Sequence, residues 1–210
     1  MKYATAAAFL VAATGALAAP AAKRGNSTAA DVSGEIPSGI PAGAGFLLPS
    51  VLANHDITSN LNTLDVQTAT VRNGNIETST LYEFYVPAEL AGKRCALAAF
   101  AGRVGNGDNV LGTGQMDFFT SQIVDLAAQP SGNLRDQGPI GRVEFNPDNG
   151  LYEYVGDIVS WSNNFPCPAG KTIVAESVAV GEFDINVIKQ DTYLTPNTIP
   201  NGVSLVFASA

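Results

Sequence analysis

Apolar and polar positions in this chain change places in short runs. From residue 46 onward, stretches rich in β-branched and aromatic residues recur at 46–52, 64–72, 78–86, 95–101, 115–122, 141–145, 152–160, 172–180, 183–189 and 204–208. Gly, Asn, Asp and Pro separate them, and such runs predict strands. About ten short strands at this spacing predict an all-β fold, an antiparallel β-sandwich or barrel. Asn73-Gly74-Asn75 predicts a hairpin turn, because Asn and Gly tolerate positive φ. Asn146-Pro-Asp-Asn-Gly150 predicts a second, and Gly181-Glu182 joins a third pair of strands. Helical signals are short: 121–128 is compatible with two turns and 88–92 with one.

Alternation assigns faces. Cys95-Ala-Leu-Ala-Ala-Phe100 is apolar on both sides, which predicts a central strand. The runs around Arg142 and Glu144 and around Tyr152, Glu153 and Tyr154 alternate charge with apolar residues, as a half-exposed hairpin does. If they pair, Arg142 and Glu144 share a face, with Glu153 expected beside Arg142.

Before residue 46 the pattern is different. Met1-Lys2, an apolar run over 6–19 and Ala16-Leu17-Ala18 read as a secretory signal peptide over 1–18. A propeptide over 19–24 then ends at the dibasic pair Lys23-Arg24. Residues 25–45 are rich in Gly, Pro and Ser and read as a flexible arm ahead of a β-sandwich domain over 46–210. The arm holds the acceptor Asn26-Ser27-Thr28, a glycosylation expectation for Asn26.

Processing changes the charge. Lys2, Lys23 and Arg24 would leave without any acid, so the formal −8 becomes −11. An acidic exported chain with scattered Lys and Arg is repelled by nucleic acid and anionic lipid. After the signal no apolar run reaches the ~18 residues of a membrane span. The two cysteines, Cys95 and Cys167, read as one disulfide in an oxidising compartment; free thiols serving catalysis or metal are the alternative.

Candidate chemistry is sparse. The single histidine, His55, reads as a surface or turn residue. No Gly-x-Ser-x-Gly elbow accompanies it. Asn106-Gly-Asp-Asn109 and Asn146-Pro-Asp-Asn149 are turn-like, with calcium as the less favoured reading. No cofactor is implied. Glu144, Glu153 and Asp157 are the nearest approach to a glycosidase acid pair. Tyr152, Tyr154 and Trp161, with Glu153 between, are a candidate ligand platform, although Tyr and Trp on a sandwich strand are more often core.

Two phrases are distinctive: Phe84-Tyr-Val-Pro-Ala-Glu-Leu-Ala-Gly-Lys-Arg-Cys-Ala-Leu97 and Phe165-Pro-Cys-Pro-Ala-Gly-Lys-Thr172. With Phe46-Leu-Leu-Pro49 they resemble the fungal secreted family named for the ubiquitin-3-binding-protein C-terminal (But) domain, over roughly residues 46–210. The resemblance implies a small β-rich extracellular domain in which Cys95 and Cys167 are a structural pair, and it implies no catalytic residue. The expectation is a secreted, wall-associated, non-catalytic protein that meets a cell-wall polysaccharide, a wall component or a host surface. The alternatives are a carbohydrate-active hydrolase and a protein-binding module with an extracellular partner.

Overall fold

The computed structural model describes residues 30–31, 40–41, 43–102, 107–155, 164–195 and 198–209. Among them the chain forms antiparallel strands and two short 3-10 turns, Ala88–Leu90 and Leu126–Ala128. The strands of the first half are β1 (Ala30–Asp31), β2 (Gly45–Leu47), β3 (Val51–Asp56), β4 (Leu61–Leu64), β5 (Thr68–Arg72), β6 (Thr78–Val86), β7 (Arg94–Phe100) and β8 (Asn109–Leu111). Those of the second half are β9 (Gln115–Ser121), β10 (Arg135–Phe145), β11 (Tyr152–Tyr154), β12 (Phe165–Pro166), β13 (Lys171–Ala179), β14 (Ile185–Lys189) and β15 (Gly202–Ala208).

They build two sheets. The smaller runs β1-β2-β15-β7-β12, and the larger β11-β10-β9-β13-β6-β5-β14-β8, curled into a half-barrel, with β5 meeting β6 at one residue pair, β3 pairing along β6 and β4 beyond β3. The expected all-β sandwich is therefore what the chain adopts. The alternating positions meet between the sheets: Tyr82, Phe84, Phe118, Val143 and Ile188 from the larger face Leu47, Leu97, Leu205 and Phe207 from the smaller. The hydroxyl of Tyr154 reaches across to the carbonyl of Leu97 on β7.

Each sheet is also covered on its outer side. Ile40, Leu194 and Ile199 lie over Phe46, Val206 and Ala208 of the smaller sheet. Ile123 and Leu126 lie over Ala53, Leu81 and Val174 of the larger. β7 runs between β15 and β12, as an apolar strand on both faces should.

Several runs read as single strands are broken, each for a local reason. Residues 46–52 divide at Pro49-Ser50, where the chain leaves β2 in one sheet and enters β3 in the other. Residues 64–72 divide at Asp65, which sits at positive φ (55°). β10 starts at Arg135, earlier than its pattern announces, because register shifts on either side of Pro139 absorb a residue that cannot donate to the ladder. β11 is described only to Tyr154, and residues 156–160 of its expected extension lie outside the described residues. The two helical turns expected over 121–128 are absent; that segment is a strap with one 3-10 turn. Part of the N-terminal arm is strand: Ala30 and Asp31 pair with Phe46 and Gly45 at the edge of the smaller sheet.

The two cysteine-bearing turns lie against each other. Phe165 pairs with Cys95 and Pro166 with Arg94. The amides of Cys167 and Gly170 donate to the carbonyls of Lys93 and Val86. The Cys95–Cys167 disulfide, with Cα atoms 4.9 Å apart, closes a span of 72 residues. Replacing both cysteines by serine should lower the unfolding free energy by about 4 kcal/mol, the chain-entropy value for a loop of this size. A denaturant midpoint that stays put would contradict this.

Burial also sets an alkaline limit. It pushes the phenols of Tyr82, Tyr152 and Tyr154 above the ordinary tyrosine value. Their folded values are raised, so the stability they contribute is whole below the unfolded value of about 10 and is lost as pH climbs above it. Absorbance at tyrosinate wavelengths should show these three ionising together with loss of the fold. Smooth titration of all tyrosines with the fold intact would contradict it.

Candidate functional site

The sequence-derived platform does not face solvent. Tyr152 is 4% exposed and packs in the shared core, its hydroxyl donating to Asn186 Oδ1 at 2.8 Å. Tyr154 packs against the same core. The face these two tyrosines share points between the sheets, not to solvent as expected. Glu153 points the other way and accepts from the amides of Asn146 (3.1 Å) and Asn149 (2.9 Å). Trp161 and Asp157 lie outside the described residues, as does Asn26.

The hairpin acids are tied to neighbours. Glu153 lies on the face that Arg142 and Glu144 share, as expected, but directly opposite Glu144. Glu144 accepts from Gln115 at 2.9 Å, and Arg142 makes a two-pronged bond to Asp117 at 2.7 and 2.8 Å. Of the two turn-like loops, Asn106 lies outside the described residues, and the acids and amides that are described are engaged. Asp108 accepts from the Lys189 amide and the Asn201 side chain, and Asn146 Oδ1 accepts from the Asp148 amide. Among the described residues no group of three His, Cys, Asp or Glu side chains is placed to hold a metal ion.

A buried polar cluster lies under the strap of residues 122–134. Glu83, 6% exposed, accepts from the Leu126 amide (2.8 Å) and the Ser50 hydroxyl (3.1 Å). Glu176, fully buried, accepts from both arms of Arg135 (2.7 Å each), from Asn133 and from Ser79. Those bonds hold the Arg135 guanidinium protonated more firmly than usual, and it also rests on the Phe119 ring. His55 is 2% exposed, not a surface residue. Asn62 gives its amide protons to the carbonyls of Gln129 and Gly132, so its Oδ1 is left to accept from His55 Nδ1–H at 2.7 Å. The bonds of Leu126, Asn133 and the carbonyls of Gln129 and Gly132 fasten the strap to β6, β13 and β4.

Exposed apolar residues gather at one end of the larger sheet. Three connections converge there: residues 73–77 between β5 and β6, 112–114 between β8 and β9, and 180–184 between β13 and β14. Asp184 ties them together. Its carboxylate, fully buried, accepts from the Thr113 amide (2.6 Å), the Thr113 hydroxyl and the Gly181 amide (3.0 Å). Its carbonyl accepts from the Asn73 amide at 3.1 Å, and the Asn73 side chain donates to the Val180 carbonyl at 3.3 Å. Gly112 is needed here, since its φ is +85° and a Cβ would overlap the Asp184 carboxylate.

This clamp presents apolar side chains to water. Phe183 is 62% exposed, Ile76 59% and Leu111 50%. Phe183 holds φ at +68°, a conformation that costs a bulky L-residue on the order of 1–2 kcal/mol. One side of its ring lies against Gly74, where a Cβ would stand 3.1 Å from Cδ1; the rest faces solvent. A strained, exposed aromatic on a rigid support is a functional signal. The other exposed large apolar side chains are Tyr85 and Tyr193, on separate elements, and Val124 and Leu134 of the strap, to which exposed Leu61 bridges through Ser131. The sequence pattern had placed Phe183 at the head of a strand. The available signal was its position in Gly181-Glu-Phe-Asp184, an aromatic inside turn chemistry.

No protein-family model, curated protein or solved structure matches this chain.

Two substitutions separate support from display. Asp184→Ala leaves buried donors unpaired, so it should cost about 2–4 kcal/mol of stability. Phe183→Gly releases the strained φ and should raise stability by about 0.5–1 kcal/mol, after Gly's own entropy cost. Thermal melts of both proteins give the readout; a large loss in the Phe183 variant would mean the ring is a packing element.

Proposed function

We propose that this is an exported, non-catalytic extracellular protein that binds wall polysaccharide through its surface, at the tip formed by residues 73–77, 112–114 and 180–184. The observation that carries the reading is Phe183: the chain accepts a strained backbone to hold an aromatic ring in water, on a base made rigid by buried Asp184. A pre-organised side chain loses little entropy on binding, which is how a small contact becomes useful. The Cys95–Cys167 disulfide supports an oxidising destination. The run before Gly25 supports export, with wall association as the setting in which a polysaccharide is met.

The reading is tested in two steps. Mass spectrometry of protein from culture fluid should give a mature chain starting near Gly25, a joined Cys95–Cys167 pair and a glycan on Asn26. Insoluble wall polysaccharide should retain the wild type, and Phe183→Ala should reduce retention by about tenfold, the ~1.4 kcal/mol expected for one aromatic anchor. Retention that ignores Phe183, or capture by host cells but by no polysaccharide, would overturn the assignment. Reducing-sugar release that disappears in Glu153→Gln would replace it with a hydrolase.

A further inference from the structure

The tip's own chemistry narrows its ligand, an inference that rests on the binding role proposed above. Exposed Glu77 closes the first turn and exposed Glu182 precedes Phe183. Arg72, one residue before Asn73, is half-buried. The carboxylate of Asp184 is consumed by the clamp, so the acids left to meet a ligand are those flanking the apolar side chains. The chain as a whole carries −8, and −11 once residues 1–24 are removed. Such a field repels polyanions and anionic lipid headgroups, and it repels a second copy of this chain. The exposed apolar side chains here are few: Phe183, Ile76 and Leu111. A standard protein partner covers roughly 20–30 residues a side, whereas one exposed ring needs only one sugar.

We propose that the Phe183–Ile76 tip binds a polysaccharide of amino sugars bearing free ammonium groups. The apolar C–H face of a pyranose lies on the open side of the Phe183 ring, and exposed Ile76 of the 73–77 turn adds apolar surface. Glu77 and Glu182 receive the ammonium groups of the same or the neighbouring sugar as charge-assisted hydrogen bonds. Apolar contact gives the position, and charge complementarity selects ammonium-bearing polymer over its N-acetylated form. Rigidity matters here: Gly74 backs the ring and Asp184 locks the turn that carries it, so the ring is held in place before the ligand arrives.

The experiment uses the full secreted chain on four insoluble supports: deacetylated chitin, chitin, cellulose and β-glucan. Wild type should be held at least tenfold more strongly on deacetylated chitin than on chitin. The preference should shrink when salt screens the charges. Phe183→Ala should lose about tenfold on deacetylated chitin, and Phe183→Tyr should keep most of the retention. The Glu77→Gln, Glu182→Gln double variant should bind chitin and its deacetylated form alike. These three residues are exposed, and far-ultraviolet circular dichroism checks that each variant is folded.

Equal retention of wild type on chitin and deacetylated chitin overturns the ammonium assignment. So does retention on deacetylated chitin that is unchanged in Phe183→Ala, since bulk charge attraction would then explain it. Phe183-dependent retention on cellulose or β-glucan alone overturns the amino-sugar class and leaves the binding role standing. No retention on any support overturns both, and it is the result expected if the tip serves a basic protein surface instead.

Discussion

The central strand β6 turns Tyr82, Phe84 and Val86 toward one side and Ser79, Leu81 and Glu83 toward the other, and both sides are withdrawn from water. Much else in the molecule follows from that constraint. The first side requires the smaller sheet as its partner, which the core between the sheets supplies. The second requires a cover that brings its own hydrogen-bonding backbone into an apolar setting, where an unpaired amide is costly. The strap of residues 122–134 meets this demand by leaning on buried acids of the sheet beneath it.

A single device then recurs. Glu83 accepts the Leu126 amide, and Asp184 accepts the amides of Thr113 and Gly181. In each case a carboxylate buried on a strand or at its head receives N–H groups from a loop that has no ladder to join. Carboxylates suit this because each offers several lone pairs and bonds more strongly than a neutral acceptor. Glu176 does the same with side-chain donors, binding Arg135 and Asn133. The acids of this protein therefore divide into structural clamps inside and flanking groups outside, such as Glu77 and Glu182.

Much of the strand content was legible in the residues. The runs at 78–86, 115–122 and 172–180 coincide with β6, β9 and β13 to within about a residue, since alternation of apolar and polar side chains is a property of the segment itself. The pairing of β10 with β11 was legible for the same reason. The hairpin expected at Asn73-Gly74-Asn75 was not: the segment links β5 to β6, but the two share only the Arg72–Thr78 pair, because β3 and β13 flank β6. The 121–128 stretch was not: its residues permit a helix, and only packing of Ile123 and Leu126 on Leu81 and Val174 makes it a strap. The site was misread in a related way. Tyr152 and Tyr154 share a face, as their spacing requires, but spacing does not say whether that face meets water or Asn186 and Leu97.

The sequence by itself determined the all-strand character, the cysteine pair and the acidic balance, because these rest on residue type and on neighbours a few positions apart. Tertiary structure decided which acids are sunk as clamps, which tyrosines are core and which turns converge on Phe183. Those outcomes depend on residues such as Gly74 and Phe183, or Thr113 and Asp184, that lie far apart along the chain and meet only when the larger sheet curls.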